Sequence, residues 1–200
     1  MRRTFGIIVA LSLLTIPVFA GTKWSIEYSR DLPKKQSGNL SIALAGNRVF
    51  SHAFQEPAKT FFPRGVPSRA RVDLVITVTE SEGAVWGSNP AGEAVPDVAA
   101  TIGIILQRNW TSASGRWYST ARVPITPGLH LISVPVKSSA WTNVYGKRGN
   151  SSASYRKLWL ATWRSNCRIG VCAGGHFYGH GVEMVAGVSA IKVTTLRVRK

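Results

Sequence analysis

The sequence predicts an all-β protein: a single antiparallel β-sandwich or jelly roll over residues 21–200, behind a signal peptide at residues 1–20. Three observations predict it. No long segment carries apolar residues at i, i+3, i+4 and i+7, while short stretches of strand character recur along the chain. Ten prolines and 19 glycines, with many serines and asparagines, punctuate the intervals between those stretches. Residues 21–200 suffice for one domain with a sizeable core, but not for two comfortable ones.

Each element follows from its own pattern. Trp24 to Ser29 reads as a first strand, with Leu40 to Leu44 and Val49 to Phe54 as weaker ones. Val72, Leu74, Ile76 and Val78 alternate with Asp73, Thr77 and Thr79, the period of a half-buried strand. Thr101 to Gln107 is apolar on both faces and therefore central. Trp117 to Val123 follows, then His130 to Lys137 with Ile132, Val134 and Val136 on one face. Tyr155 to Arg164 is read as a strand with Tyr155, Trp159 and Trp163 on one side and Leu158 and Leu160 on the other. Val188 to Arg199 closes the chain, and Gly83 to Pro96 is the longest expected loop. About eight strands at this spacing suit a sandwich or jelly roll.

The ends and the charge bound the setting. Arg2 and Arg3 precede an apolar core from Phe5 to Leu14, and Val18-Phe19-Ala20 offers small residues where a secretory cleavage site needs them. The expected mature start is Gly21, which places the protein in the periplasm or outside the cell with no transmembrane segment. The formal net charge is +16, from 25 basic and 9 acidic residues, and the leader removes only two of the basic ones. After export nucleic acid is not an expected partner; the available polyanions are acidic polysaccharides, lipid headgroups and cell-wall polymers. The cations are dispersed along the chain, at Lys34 and Lys35, at Arg64, Arg69 and Arg71, and at Arg197, Arg199 and Lys200 among others. A solvated basic surface accounts for them without any specific partner.

The segments ATIGIILQRNW, ITPGLHLISVPVKSSAWTNVYGK, RIGVCAGGHFYGHGV and GVSAIKVTTLRV resemble a group of bacterial exported β-sandwich proteins, similar in outline to galactose-binding-like jelly rolls. The likeness covers about residues 100–198. It implies a fold and an envelope location, and it supplies no catalytic residues to carry over. Cys172 departs from the pattern, which usually has an aromatic or small residue there.

Cys167 and Cys172 admit two readings. Two cysteines in an exported chain default to a disulfide. If Ile169-Gly170-Val171 is a strand, however, the two Cα atoms lie about 16 Å apart and the side chains point to opposite faces. A disulfide tolerates less than about 7 Å. A tight loop would allow the bond, and a strand would not; the resemblance favours the strand and free thiols.

His176 and His180 have the spacing of a helical zinc pair, but Phe177, Tyr178 and Gly179 lie between them where a protease helix needs a carboxylate. The glycines around them oppose a helix. On a strand the two would share a face about 13 Å apart. A glycine-rich strand connection is the expectation; a metal site using Cys167 or Cys172 as a third ligand is the weaker alternative.

Nothing in the chain makes a positive case for an enzyme. Glu80 and Glu82 share a face at a strand end, but Ser81 and Gly83 beside them suggest a segment leaving for solvent. Asp97 reads as a turn or cap residue. There is no G-x-S-x-G elbow, no phosphate loop and no cofactor motif.

Seven tryptophans favour a binding module instead. Sugar rings stack their C–H faces on indole or phenol while their hydroxyls seek fixed polar partners. Two places combine exposed aromatics with cations. One is Arg108-Asn109-Trp110 with Arg116-Trp117-Tyr118, a hairpin that presents Trp110, Trp117 and Tyr118 at one end; the other is Trp141, Tyr145, Lys147 and Arg148. Core burial competes with this reading, since tryptophans in sandwiches are often wedges whose N–H finds a carbonyl, and it is preferred for Trp159 and Trp163. The expected function is an exported, non-catalytic module that binds carbohydrate or another envelope component. The alternative is an interaction protein whose basic surface meets anionic envelope polymers, and a metal-dependent hydrolase around His176 and His180 ranks third.

Overall fold

The inward side chains of two facing sheets build the core. The computed structural model describes residues 21–46, 48–88, 95–96, 100–108, 115–174 and 181–200. The strands run β1 (Lys23–Glu27), β2 (Lys35–Ser37), β3 (Leu40–Ala45), β4 (Val49–Phe50), β5 (His52–Glu56), β6 (Arg71–Glu80) and β7 (Val85–Ser88). They continue with β8 (Val95–Pro96), β9 (Thr101–Gln107), β10 (Arg116–Pro124), β11 (Gly128–Pro135) and β12 (Trp141–Asn143). Helix α1 (Ala153–Arg164) precedes β13 (Arg168–Gly174), β14 (Val182–Ala186) and β15 (Val188–Arg199). A seven-stranded sheet has the order β12-β10-β9-β13-β5-β1-β2, and a four-stranded sheet the order β11-β6-β15-β3. A second four-stranded sheet runs β4-β14-β7-β8. Every strand pair described is antiparallel.

Strand alternation assembles the interior. Val72, Leu74, Ile76 and Val78 of β6 point inward beside Ile132 and Val134 of β11, Ile191 and Val193 of β15, and Leu40, Ile42 and Leu44 of β3. Opposite them stand Trp24, Ile26, Ala53, Ile102, Ile104, Leu106, Ile169 and Val171 of the seven-stranded sheet, in the same apolar cluster. Two sheets sharing one interdigitated core make a β-sandwich. The predicted class is what the molecule adopts, and Thr101–Gln107 is central, paired on both sides by β10 and β13.

Three elements differ from expectation. The stretch Val49 to Phe54 is two strands, because the chain changes sheet at Ser51. β4 pairs with β14 and β5 with β1 and β13, while the Ser51 amide donates to Ser29 Oγ at 3.0 Å and its carbonyl accepts from the Ala173 amide at 2.8 Å. Gly83 to Pro96 is not simply a loop: β7 pairs with β14 and β8 with β7. Tyr155 to Arg164 is not a strand but lies within α1.

The helix has a local cause. The Ser152 hydroxyl caps it by accepting from the Tyr155 amide at 3.1 Å. Trp159, Thr162 and Trp163 then share a buried face. Trp163 is fully buried with its ring 5.6 Å from that of Trp141 and 5.5 Å from that of Phe62. The helix thus packs against the β12 side of the sandwich, and the expected core placement of both tryptophans holds despite the changed element.

Candidate functional site

The outward face of the seven-stranded sheet carries a second, small apolar cluster roofed by charge. Its floor is Phe54 of β5, Ile105 of β9, Tyr118 of β10 and Cys172 of β13, all buried. Strand period two puts these residues opposite their core-facing neighbours. Close spacing explains a glycine in this floor: a Cβ on Gly170 would lie 2.2 Å from the Ala53 carbonyl oxygen.

Above the floor, Arg168 crosses Phe54 with its guanidinium carbon 4.4 Å from the ring centre. Its Nη1 donates to Glu27 Oε1 at 2.7 Å and to Glu56 Oε1 at 2.9 Å, tying β1, β5 and β13 together. Ser25 Oγ donates to the same Glu27 oxygen at 2.6 Å. Tyr28, just beyond β1, adopts a left-handed backbone with φ 52°. That turn lays its ring against His52, with 5.5 Å between centroids. Arg116 of β10 reaches back to cover the ring at 5.1 Å and donates to the Tyr28 hydroxyl at 2.7 Å. Tyr28 nevertheless remains 53% exposed.

A groove of about 440 Å³ adjoins this roof, lined by Lys23, Ser25, Lys35, Gln36, Ser37 and Glu56 over the buried Trp24. Donors and acceptors of both charges therefore border one concavity on the strand that leads to the exposed Tyr28. Such a surface can bind a polyhydroxylated ligand by hydrogen bonds and ring stacking.

The titratable groups of the floor are held neutral. Burial pushes the Tyr118 hydroxyl well above its ordinary range. Burial likewise raises the Cys172 thiol, although Arg122, whose Nη1 lies 3.5 Å from the sulfur, opposes that rise. Glu27 and Glu56 both accept from the one guanidinium of Arg168, an arrangement that fixes acceptors and donors in place for a ligand.

The residues singled out from the sequence fare differently. Trp117, Tyr118 and Trp141 are not rim residues: each is 1% exposed or less. Trp117 and Trp141 point into the core, where Trp117 Nε1 donates to Thr162 Oγ1 at 3.2 Å and Trp141 Nε1 to the Pro135 carbonyl at 3.1 Å. Tyr118 faces the opposite way and forms floor. Strand alternation, which assigns Trp117 and Tyr118 to opposite faces, and the helix packed over Trp117 explain the correction. Trp159 and Trp163 are core residues, but their indole N–H groups have no acceptor among the described residues.

Arg108 is exposed at the hairpin end, its amide donating to the Gly115 carbonyl at 2.9 Å. Tyr145 is 68% exposed in a turn organised by Asn143 Oδ1, which accepts from the Tyr145 and Lys147 amides at 3.0 Å each. Arg148 is exposed beside it. This turn borders the floor through Val144, which packs on the second cluster. Trp110, Asp97, His176 and His180 lie outside the described residues, as does the predicted leader. Glu80 accepts from Trp86 Nε1 at 2.6 Å, and Glu82 is exposed in the turn that follows.

Cys167 and Cys172 are free and buried, one in the main core and the other in the outer floor, as the strand reading required. Among the described residues no group of three or more histidines, cysteines or carboxylates could hold a metal ion. No helix among them is long and apolar enough to cross a membrane.

Tyr28, Glu27, Glu56 and Arg168 were not singled out from the sequence, whereas Arg116 belonged to the candidate hairpin. One signal was available: with only nine acidic residues in the chain, Glu27 on the predicted first strand and Glu56 just past the predicted Val49 to Phe54 strand invite a search for their counter-ion.

The molecule belongs by architecture to the antiparallel β-sandwiches of jelly-roll outline. No family model matches the chain, and no curated protein does. Among solved structures it is similar in fold to a chain from work on endo-acting O-glycanases of the human gut microbiota that initiate mucin breakdown. The TM-score is 0.38 at 12% identity, covering 88% of this chain and 91% of that one. The xylan-binding module CBM15 gives a TM-score of 0.32 at 10% identity, over 86% of this chain and 90% of its own. LamA of Z. galactanivorans, in complex with laminaritriose and laminaritetraose, gives 0.30 at 11% identity, over 89% and 77%. These are likenesses of fold.

Proposed function

We propose that the chain is an exported, non-catalytic carbohydrate-binding module whose sugar site is the outer face of the seven-stranded sheet, from Tyr28 to the Lys23–Lys35 groove. The observation that carries it is the exposed Tyr28 ring held beside fixed polar groups on rigid strands. A ring of this kind offers stacking area at little entropic cost, and the Glu27–Arg168–Glu56 bridge sets acceptors and donors before a ligand arrives. Lys23 and Lys35 flank the groove and favour a sugar bearing carboxylate or sulfate groups. Tyr145, Arg108 and Arg148 are outlying contacts for a longer chain.

A glycan array followed by calorimetry tests the reading. Tyr28→Ala should weaken the selected ligand about tenfold, in line with a ring contact of roughly 0.5–1.5 kcal/mol beyond the area it buries. Lys23→Ala with Lys35→Ala should weaken acidic ligands selectively. A ligand that binds the Tyr28→Ala protein undiminished, or no glycan hit at all, rejects this site.

A further inference from the structure

The other broad surface, the outward face of the sheet β11-β6-β15-β3, presents a different chemistry. Leu129 and Leu131 lie on edge strand β11 with 73% and 66% of their surface exposed. Period two places both outward, and the register sets Leu131 against half-buried Val75 and Leu129 against Thr77. On the same face the next strand carries Lys192 opposite Thr77, Arg197 opposite Asp73 and Arg199 opposite Arg71. Lys192 is exposed, and the side chains of Arg197 and Arg199 are 58% and 51% exposed. Asp73 is the carboxylate among them, 7% exposed and bonded to Arg199 and Ser133. Toward the opposite edge, across β6, β15 and β3, the sheet carries a shallow trough of about 510 Å³ lined by Ala43, Ala45, Thr79, Glu80, Val188 and Ala190.

We infer that this face docks on the surface of an anionic lipid bilayer. Around the leucines Arg71, Lys192, Arg197 and Arg199 stand against the one buried carboxylate of Asp73, while Glu80 at the far trough is engaged by Trp86. This part of the face is therefore strongly positive and suits phosphate headgroups. A second copy of the chain meeting it face to face would bring like charges together. A soluble polyanion would satisfy the cations, but it would give the two leucines nothing to enter. A bilayer takes both: the leucines reach below the headgroups while Lys192, Arg197 and Arg199 stay at their level. Neither contribution suffices alone, since weak apolar anchoring becomes stable only with a second, electrostatic signal. This face lies on the opposite sheet from the proposed sugar site, so the two inferences fail independently.

Sedimentation of the protein from residue 21 onward with vesicles tests it, using phosphatidylcholine alone and phosphatidylcholine mixed with phosphatidylglycerol. Binding is expected to the mixed vesicles and not to the neutral ones. Leu129→Ala with Leu131→Ala leaves every cation in place and should weaken that binding about tenfold or more. Lys192→Gln and Arg197→Gln should each weaken it about fivefold, the effect of one cation at an anionic surface. All four side chains are exposed, and circular dichroism verifies that each variant is folded. As a second measurement, Leu131→Trp should gain fluorescence quenching by brominated lipid over the parent protein. Failure to bind mixed vesicles overturns the inference. So does vesicle binding that ignores the leucines and is matched by soluble dextran sulfate, which would indicate a polymer contact. A concentration-dependent dimer that dissociates in the double leucine variant would overturn it in favour of self-association.

Discussion

Arg168 lies over Phe54, its guanidinium carbon 4.4 Å from the ring centre, and from that position bonds carboxylates on two other strands. The side chain is 11% exposed, and those of Glu27 and Glu56 are 13% and 32% exposed. Removing the cation would leave two carboxylates facing each other with little water. Arg168→Ala is therefore expected to cost about 2–4 kcal/mol, somewhat less than for a fully buried pair because Glu56 is partly solvated. Arg168→Lys should recover less than half of this, since an ammonium lacks the planar fork. Urea unfolding of the three proteins measures both values; a loss below about 0.5 kcal/mol in the alanine variant would show that the bridge is not structural.

Asp73 makes stability depend on acid. Burial alone would raise its carboxyl, but the hydrogen bonds from Arg199 and Ser133, with the charge of Arg199 and a bond from Arg197, outweigh it and hold the group below its ordinary 3.8. A carboxylate with a lower pKa folded than unfolded binds more protons in the unfolded chain, so its contribution grows with pH. The contribution should be complete above about pH 5 and be lost as pH falls through the folded value below 3.8. Asp73→Asn should give a flatter stability profile between about pH 5 and 3 in thermal unfolding. An unchanged slope would mean that other carboxylates set the acid limb.

Trp117 and Trp163 separate a core role from a binding one. Both are fully buried, and Trp117 bonds to Thr162 of α1. Trp117→Ala and Trp163→Ala should each cost about 3–5 kcal/mol. Trp117→Phe keeps most of the volume and should cost clearly less. Any loss of ligand in Trp117→Ala should then track its unfolding, and calorimetry at a temperature where the protein remains folded should find affinity intact.

The helix around these tryptophans shows where sequence pattern becomes ambiguous. Residues four apart share a face in both a strand and a helix, so Tyr155, Trp159 and Trp163 satisfy either period. What separates the two is Thr162, which joins Trp159 and Trp163 on one buried face at the i, i+3, i+4 spacing of a helix, and the Ser152 cap. The strands of the four-stranded sheet β11-β6-β15-β3 were legible because one of its faces meets the core and the other solvent, giving clean alternation in β6, β11 and β15. The seven-stranded sheet hid its site for the opposite reason. Its outer face has a buried floor, so Tyr118 and Cys172 lack the solvent-facing alternation that marks an outer face, and the charges above it come from four separated segments. No local spacing links Tyr28 to Arg116 or Arg168 to Glu27; the tertiary fold alone brings them together.

The two thiols should be inert in the folded protein. Burial pushes Cys167 up to about 12, and Cys172 is raised as well. Thiolate is the reactive species, so alkylation near pH 8 should be slow in the native state and rapid for both residues in denaturant. The intact mass should be the same with and without reductant. Rapid native labelling of either cysteine would contradict the packing described for both clusters.

Tyr28 combines backbone strain with exposure, and the two can be measured apart. Its φ of 52° lies in the left-handed region, which costs a non-glycine residue about 1–2 kcal/mol. Glycine adopts this conformation freely, while alanine retains the strain. Tyr28→Gly is thus expected to be more stable than Tyr28→Ala by about 1 kcal/mol, although both lose the contacts with His52 and Arg116. Elsewhere in a strand or helix the order would be reversed, because glycine costs more entropy on folding. Chemical unfolding of the pair gives the sign directly. Both variants should lose glycan affinity equally, since each lacks the ring; if glycine binds as the parent does, the backbone turn and not the phenol is what the ligand uses.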